Sequence, residues 1–94
     1  MSYYKYKNKI LFVENKSILS LSKRIKTPFY LYSGSQLTNN YLNFTKIFKK
    51  INPLICFSVK SNSNPFILKS LKNLGSGADV VSSGELLKAL KAGI

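Results

Sequence analysis

The sequence predicts an α/β fold with parallel strands, and three features lead to this prediction. Two short apolar runs have the composition of strands, and each is followed by an apolar pattern of helical period with its own start and stop residues. The connections between these segments are short. Strand, helix, strand and helix in this order imply right-handed crossovers, which occur both in a β/α barrel and in an open doubly wound sheet.

The length of the chain limits how much of such a fold it can form. The chain has 94 residues, whereas a complete β/α barrel usually needs about 250. No closing strand follows the last helix to cover the edge of so small a sheet. We therefore expect the chain to be the front part of a larger fold.

Residues 1–33 carry weaker patterns. The apolar run over residues 10–14 predicts a short strand, and the spacing of apolar residues over residues 17–25 predicts a short helix. Pro28 then interrupts the chain, because the residue before a proline is pushed out of helical geometry. The aromatic run over residues 29–32 predicts a second, extended strand.

A long helix is predicted to begin at Ser33. Ser33 and Gln36 have the spacing of a capping box, in which each side chain accepts a hydrogen bond from a backbone N–H at the helix start. Apolar residues then recur at helical steps, and Asn52 and Pro53 end the pattern. The predicted apolar face comprises Leu37, Tyr41, Phe44, Phe48 and Ile51.

Residues 54–59 lack strict alternation and predict a strand buried on both faces, as in a parallel sheet. Because successive side chains of a strand point to opposite faces, we expect Cys56, Ser58 and Lys60 on one face, which in a barrel would be the lumen. Lys60 would then stand at the carboxyl end of the strand. That end is where α/β proteins bind their ligands.

The second β/α unit is predicted after Lys60. Asn64 can cap a helix that has Pro65 at its first position, and Gly75 can end it in a left-handed conformation. Residues 77–81 predict the next strand. The remaining helix signals are the apolar stripe Ile67, Leu68, Leu71 and Leu74, the capping box of Ser82 and Glu85, the apolar Leu86, Leu87 and Leu90, and the terminal Gly93.

The net charge of +12 suggests nucleic acid as a possible partner. However, Arg24 is the sole arginine among fifteen cations, which are spread along the whole chain. A composition that is rich in lysine throughout is therefore the favoured explanation of the charge. A small basic binding module stays open as the alternative. One cysteine and no histidine exclude an internal disulfide and a Cys/His metal site. No apolar run suits a signal peptide or a membrane span.

Lys60 is the candidate nucleophile of the chain. An amine held neutral by burial or by a neighbouring positive charge can condense with a carbonyl group. A solvated lysine at a strand end explains the same position without any chemistry. Asp79, the only aspartate, lies in the second predicted strand, where an acid is unfavourable unless it is paired. An acid at the sheet edge explains it equally well.

Three segments, taken in order, resemble one enzyme family. Residues 27–32 read Thr-Pro-Phe-Tyr-Leu-Tyr, residues 59–64 read Val-Lys-Ser-Asn-Ser-Asn, and residues 77–86 read Gly-Ala-Asp-Val-Val-Ser-Ser-Gly-Glu-Leu. Over residues 27–94 the chain resembles the amino-terminal part of the diaminopimelate decarboxylases. These belong to the alanine-racemase-like group of fold-type III pyridoxal-phosphate enzymes.

The resemblance implies a fold, a reaction and a site. Residues 34–94 would form the first β/α units of an incomplete (β/α)8 barrel of the TIM type, and residues 1–33 an amino-terminal extension and a strand that joins a separate β domain. The reaction would be the conversion of meso-2,6-diaminopimelate to L-lysine and CO2, catalysed by a carbon–carbon lyase. Lys60 would be the catalytic lysine that holds pyridoxal 5'-phosphate as a Schiff base, and Asp79 would lie near this cofactor.

The resemblance also sets expectations for the complete protein. Ser58 and Ser61 replace alanines of the family pattern, and Ser83 replaces a glycine, which leaves another decarboxylase or a racemase-like protein of the same fold as an alternative. The family's ring-stacking histidine and glycine-rich phosphate loop do not occur in the sequence, so the 94 residues alone are expected to be inactive. The full-length enzyme is expected to be a cytoplasmic homodimer that binds a small amino acid, and neither nucleic acid nor membrane.

Overall fold

A computed structural model describes residues 2–94. The chain forms two compact units, Met1–Leu37 and Thr38–Ile94, and helix α2, Gly34–Ile47, begins in the first and ends in the second. The first unit has a sheet of three antiparallel strands, and the second has a pair of parallel strands. The predicted α/β class is therefore confirmed.

The first unit begins with an antiparallel sheet. Its strands pair in chain order and are β1 (Tyr4–Lys7), β2 (Ile10–Val13) and β3 (Lys16–Ser17). Asn8 and Lys9 have positive φ angles of 52° and 65°, as both central residues of a type I′ hairpin turn do. The apolar β2 supplies the buried Val13. The strand predicted over residues 10–14 is thus confirmed.

Strand β1 lies where the sequence predicts no element. Its residues alternate tyrosine and lysine and are all exposed, so no buried face marks the strand in the sequence. It forms because its backbone pairs with the apolar β2, with Tyr4 opposite Val13 and Lys7 opposite Ile10. The strand therefore depends on its neighbour, and a local pattern could not reveal it.

Helix α1 (Ile18–Arg24) follows β3 without a loop. Ser17 Oγ accepts a hydrogen bond from the Ser20 backbone N–H at 3.2 Å and so caps the amino terminus of the helix. At the other end Ile25 has extended backbone angles. The helix predicted over residues 17–25 is confirmed.

The strand predicted over residues 29–32 is wrong. No residue of this aromatic run is paired in a sheet, and Tyr30 is 91% exposed. β-prone side chains form a strand where a neighbouring strand supplies hydrogen-bond partners. The described part of the chain supplies no such partner here, so the run is an irregular connection between α1 and α2.

Helix α2 begins as predicted and ends earlier. Ser33 Oγ accepts a hydrogen bond from the Gln36 N–H at 3.1 Å, which is one half of the predicted capping box. The helix ends at Ile47, and turns continue to Asn52, whose φ of +45° lies outside the helical region. The apolar period runs on to Ile51, but that side chain is 71% exposed, so no burial holds the segment in a helix.

The second unit contains two β/α units in the predicted order. Its elements are β4 (Cys56–Ser58), α3 (Pro65–Asn73), β5 (Gly77–Asp79) and α4 (Ser83–Ala92). The strands β4 and β5 are parallel, and α3 packs on α4. The buried apolar core consists of Val59, Leu68, Leu71 and Ala89.

Both helices of this unit begin at the predicted caps. Asn64 Oδ1 accepts a hydrogen bond from the Phe66 N–H at 2.9 Å ahead of α3, and Ser82 Oγ accepts one from the Glu85 N–H at 3.1 Å ahead of α4. Gly75, with a φ of +95°, lies in the left-handed region just after α3, as predicted.

The two predicted strands are shorter and less buried than expected. β4 has three residues instead of the predicted 54–59, and β5 ends at Asp79 instead of residue 81. The expected burial of the first strand on both faces is wrong, because Cys56 is exposed and Leu54 is 74% exposed. In the described residues β4 pairs with β5 alone, so its other edge has no neighbouring strand.

The segment between α3 and β5 forms hydrogen bonds that hold β5 next to β4. The buried Ser76 donates a hydrogen bond from its Oγ to the Gly77 carbonyl at 2.7 Å and to the Ile55 carbonyl at 3.2 Å. A methyl group on Gly77 would lie 2.7 Å from Cys56 Sγ, closer than van der Waals contact allows. Glycine is therefore the residue that lets the strands approach here.

Candidate functional site at the carboxyl ends of the parallel strands

The two parallel strands end side by side. Ser58 is the last residue of β4 and lies opposite Asp79, the last residue of β5. Lys60 follows two residues after Ser58. The structure therefore brings the two residues singled out from the sequence, Lys60 and Asp79, to the same edge of the sheet, which is the edge where parallel α/β sheets bind ligands.

Lys60 lies in a single 3₁₀ turn, Val59–Ser61, instead of in the strand. The expected alternation of Cys56, Ser58 and Lys60 on one strand face therefore ends at Ser58. Val59 is fully buried, and the Asn62 N–H donates to the Val59 carbonyl at 3.1 Å, which closes the turn. The backbone around Lys60 is thus anchored on both sides, while its side chain is exposed.

The polar residues after Lys60 have structural roles. Ser61 Oγ donates a hydrogen bond to the Ser58 carbonyl at 2.7 Å. Asn62 Oδ1 accepts one from the Asn64 N–H at 3.0 Å, and Asn64 in turn caps α3. The Ser/Asn segment therefore converts the end of the strand into a turn and then into a helix, with the lysine at the apex.

Helix α4 contacts the turn that contains Lys60. The side chain of Glu85 accepts a hydrogen bond from the Val81 N–H at 3.1 Å, so its carboxylate serves the start of the helix. One turn further along α4, Lys88 Nζ donates to Ser63 Oγ at 3.3 Å and connects α4 with the segment after Lys60. The bond from the Val81 N–H confirms the prediction that Glu85 is a cap.

Asp79 is exposed at the end of its strand. Its carboxylate can stay hydrated, so Asp79 avoids the free-energy cost of burying an unpaired acid. The described residues 2–94 contain no cluster of His, Cys, Asp and Glu side chains able to hold a metal ion. At this edge Lys60 contributes an exposed amine and Asp79 an exposed carboxylate.

Ser58 contributes a feature that the sequence reasoning missed. Its Oγ is buried and has no hydrogen-bond partner among the described residues, although most buried hydroxyl groups are paired. The sequence signal was available, since Ser58 stands where the family pattern has alanine. Two residues before the candidate lysine, serine thus adds a hydroxyl group that forms no hydrogen bond within the described strand pair.

A second group of polar side chains lies in the first unit. Glu14 accepts hydrogen bonds from Ser33 Oγ at 2.8 Å and from Ser35 Oγ at 3.1 Å. These two bonds, that of Ser33 first, hold the pKa of the Glu14 carboxyl below its ordinary value. Ser33 also caps α2, so this cluster fixes the start of a helix and offers no nucleophile.

Comparison with known protein families gives a match that covers the second unit. Residues 35–94 match the family model described as the pyridoxal-binding domain of pyridoxal-dependent decarboxylases. The chain belongs to this family. The match covers both β/α units, including Lys60 and Asp79, and the cofactor expected from the sequence is confirmed at the level of the family.

Individual members of the family are similar over most of the chain. Diaminopimelate decarboxylase of Helicobacter pylori (strain J99) is 53% identical over 74 residues, which are 79% of this chain and 18% of the relative. The same enzyme of Aquifex aeolicus is 42% identical over 92 residues, 98% of this chain and 21% of the relative. The resemblance noted from the sequence motifs is thereby confirmed.

A solved structure extends this similarity to the fold. Diaminopimelate decarboxylase of M. jannaschii in complex with L-lysine superposes with a TM-score of 0.91 at 30% sequence identity, over 97% of this chain and 22% of that protein. The chain thus spans about a fifth of the length of the relatives that it matches. In the described residues 2–94, no helix is long and apolar enough to cross a bilayer.

Proposed function

We propose that this chain supplies the cofactor-carrying lysine, Lys60, to a pyridoxal-phosphate-dependent decarboxylase. The reaction that we propose is the conversion of meso-2,6-diaminopimelate to L-lysine and CO2. The observation that carries the proposal is the exposed Lys60 in an anchored turn at the carboxyl edge of β4. The diaminopimelate decarboxylases to which the chain is similar support the choice of substrate.

The residues at this edge fit the proposed cofactor. The aldehyde of pyridoxal phosphate requires an accessible amine, and the Lys60 side chain is exposed while its backbone is fixed by the buried Val59 and by the closed turn. The unpaired hydroxyl of Ser58 adds a hydrogen-bonding group at the same edge. Both features suit a polar ligand.

Two residues have roles in this proposal. Lys60 would hold the cofactor through its Nζ, and Asp79, on the neighbouring strand end, would face the bound cofactor and orient it. The cofactor itself supplies an electron sink for the pair of electrons that remains when CO2 leaves. The protein would contribute position, because the anchored turn fixes the backbone of Lys60 at this edge and leaves its amine free to meet the cofactor.

The remaining expectations for the complete protein belong to the same proposal. Residues 34–94 would be the first β/α units of a (β/α)8 barrel, and residues 1–33 would contribute to a separate β domain. The exposed apolar side chains of the second unit would then be covered by the rest of the barrel. The complete protein would be a cytoplasmic homodimer that binds neither nucleic acid nor membrane. The exposed apolar side chains in question include Phe44, Ile47, Ile51, Leu86, Leu87 and Leu90.

Replacement of Lys60 in the complete protein tests the proposal. We expect Lys60→Ala to reduce the release of CO2 from meso-diaminopimelate to the uncatalysed background, because no amine remains to hold the cofactor. Lys60→Arg should be equally inactive, since it keeps the charge but its guanidinium cannot take over the role of the amine. Lys69→Ala, an exposed lysine of α3, is the matched control and should keep full turnover.

The outcome is interpretable because Lys60 is exposed and its removal should leave the fold intact. Circular dichroism and thermal unfolding of each variant establish this. A folded Lys60→Ala protein that still releases CO2 at the wild-type rate would contradict the proposed role. An active wild type that accepts a different amino acid, or that racemises its substrate, would keep the role of Lys60 and replace the proposed substrate.

A further inference from the structure

Ser58 is the serine near the site whose hydroxyl has no partner. The neighbouring hydroxyl groups are all bonded: Ser61 Oγ to the Ser58 carbonyl, Ser63 Oγ to Lys88, and Ser76 Oγ to two carbonyls. Ser58 Oγ, by contrast, is buried and unpaired among residues 2–94. Of these four serine hydroxyl groups, that of Ser58 is the one that is buried without a partner in the described part of the chain.

No hydrogen bond within residues 2–94 explains this hydroxyl. A buried hydroxyl without a partner loses its hydrogen bonds to water and gains none, so an apolar group of similar shape is preferred at such a position. Alanine would keep the backbone pairing of Ser58 with Asp79 and would remove the unpaired oxygen. Among residues 2–94 the hydroxyl is therefore unfavourable as it stands, and a ligand bound at this edge is one partner that would satisfy it.

The position of Ser58 suits such a partner. It is paired in register with Asp79, and register partners on neighbouring strands have their side chains on the same face of a sheet. The residue as a whole is half-buried, not fully enclosed. A serine hydroxyl has three staggered χ1 positions, so its direction can adapt to a bound ligand.

We propose that Ser58 is a further cofactor-binding residue, whose hydroxyl forms a hydrogen bond with the pyridoxal phosphate held at Lys60. This inference rests on the proposed function, because it requires the cofactor at this edge. It adds to that function a contact from β4 itself, two residues before the lysine. The contact gives the buried hydroxyl the partner that it lacks among residues 2–94.

Cofactor titration of the complete protein tests this inference. The apo-protein is titrated with pyridoxal 5'-phosphate, and the Kd is read from absorbance and from quenching of protein fluorescence. We expect Ser58→Ala to raise the Kd about tenfold, the effect of one lost hydrogen bond. Ser58→Thr, which keeps a hydroxyl, should stay within about twofold of the wild type. Ser70→Ala removes a hydroxyl that bonds within α3 and is the remote control.

Thermal unfolding of the same apo-proteins separates binding from structure. Because Ser58→Ala removes an unpaired buried oxygen, the apo-variant should unfold at the same temperature as the wild type or at a higher one. Weaker cofactor binding together with unchanged or increased apo-stability supports the inference. A variant that loses apo-stability would overturn it, since the hydroxyl would then serve the fold.

The remaining outcomes distinguish the inference from the function on which it rests. If wild type and Ser58→Ala bind the cofactor equally well, or if Ser58→Thr binds as weakly as Ser58→Ala, the inference fails and the role of Lys60 stands. If the wild type itself does not take up the cofactor, both fail together. Borohydride reduction of the wild type after incubation with pyridoxal phosphate, followed by peptide mapping, identifies this last case, because no peptide then carries the label.

Discussion

The position of Lys60 is determined by its neighbours. Val59 is fully buried, Ser61 is bonded to the Ser58 carbonyl, and Asn62 closes the turn. The lysine itself is exposed, so few contacts of its own restrain the side chain. A site built in this way keeps the backbone of the reactive residue fixed and leaves its amine free to reach a ligand.

Glu14 shows how single residues control the first unit. Its pKa is lowered by the hydroxyl groups of Ser33 and then of Ser35, which means that the folded chain favours the ionised carboxylate. The resulting stabilisation is present above the ordinary pKa of a glutamate. It is lost as the pH falls through the lowered pKa of the folded state.

We therefore predict that acid weakens this unit through Glu14. Thermal unfolding of the wild type between pH 7 and pH 3 should show a fall in the midpoint below about pH 4.5, the ordinary value for this carboxyl. Glu14→Gln should show a smaller fall, because its amide does not titrate. Equal pH dependence in the two proteins would contradict the role of Glu14. Because the side chain is exposed, the difference should be small.

At the level of elements, local signals decided which parts could be predicted. The cap residues Asn64 and Ser82 and the left-handed Gly75 predicted the limits of α3 and α4, because caps act on the next few backbone groups. Strand β1 could not be predicted, since its stability comes from β2. The aromatic run over residues 29–32 failed for the converse reason: it has strand composition and no pairing partner in the described chain.

At the site, too, features set by local sequence could be predicted, and features set by tertiary contacts could not. The motif around Lys60 predicted its place after a parallel strand, because the order of strand, turn and helix is local. The 3₁₀ turn at Val59–Ser61 was not predicted, because it depends on the burial of Val59 and on the hydrogen bonds of Ser61 and Asn62. The sequence showed a serine at position 58 where the family pattern has alanine, but the lack of a partner for its hydroxyl is visible only in the structure.

The cap of α3 gives a quantitative prediction at this scale. Asn64→Ala removes the acceptor of the Phe66 N–H and should lower the free energy of unfolding by about 1 kcal/mol. Asn64→Asp keeps an oxygen in the same place and should lie close to the wild type. Denaturant titration of the complete protein measures both. Equal losses in the two variants would show that the cap oxygen is unimportant.

At the scale of the whole molecule, the fifteen cations of the chain outnumber its three acids and give a net charge of +12. Glu14 is bonded to serine hydroxyl groups and Glu85 to a backbone N–H, so neither of these acids pairs with a lysine. Such an excess of positive charge attracts polyanions through counterion release, whatever the function of the protein. Charge alone therefore does not establish a nucleic-acid partner.

We predict that binding of this protein to DNA or RNA is nonspecific and disappears at moderate salt. The lysines are spread along the chain, so few of them can contact one phosphate backbone at the same time. Fluorescence anisotropy with labelled oligonucleotides at increasing salt concentration measures this. Submicromolar, sequence-dependent binding at physiological salt would instead support the alternative of a basic binding module.

Borohydride reduction of the complete protein loaded with pyridoxal phosphate tests the central claim most directly. Reduction fixes the cofactor permanently to the amine that carries it, and mass spectrometry of the proteolytic peptides then locates the label. We expect one labelled peptide, with the added mass on Lys60, and no label at that peptide in Lys60→Ala. A label on any other lysine, with Lys60 unmodified, would contradict the account.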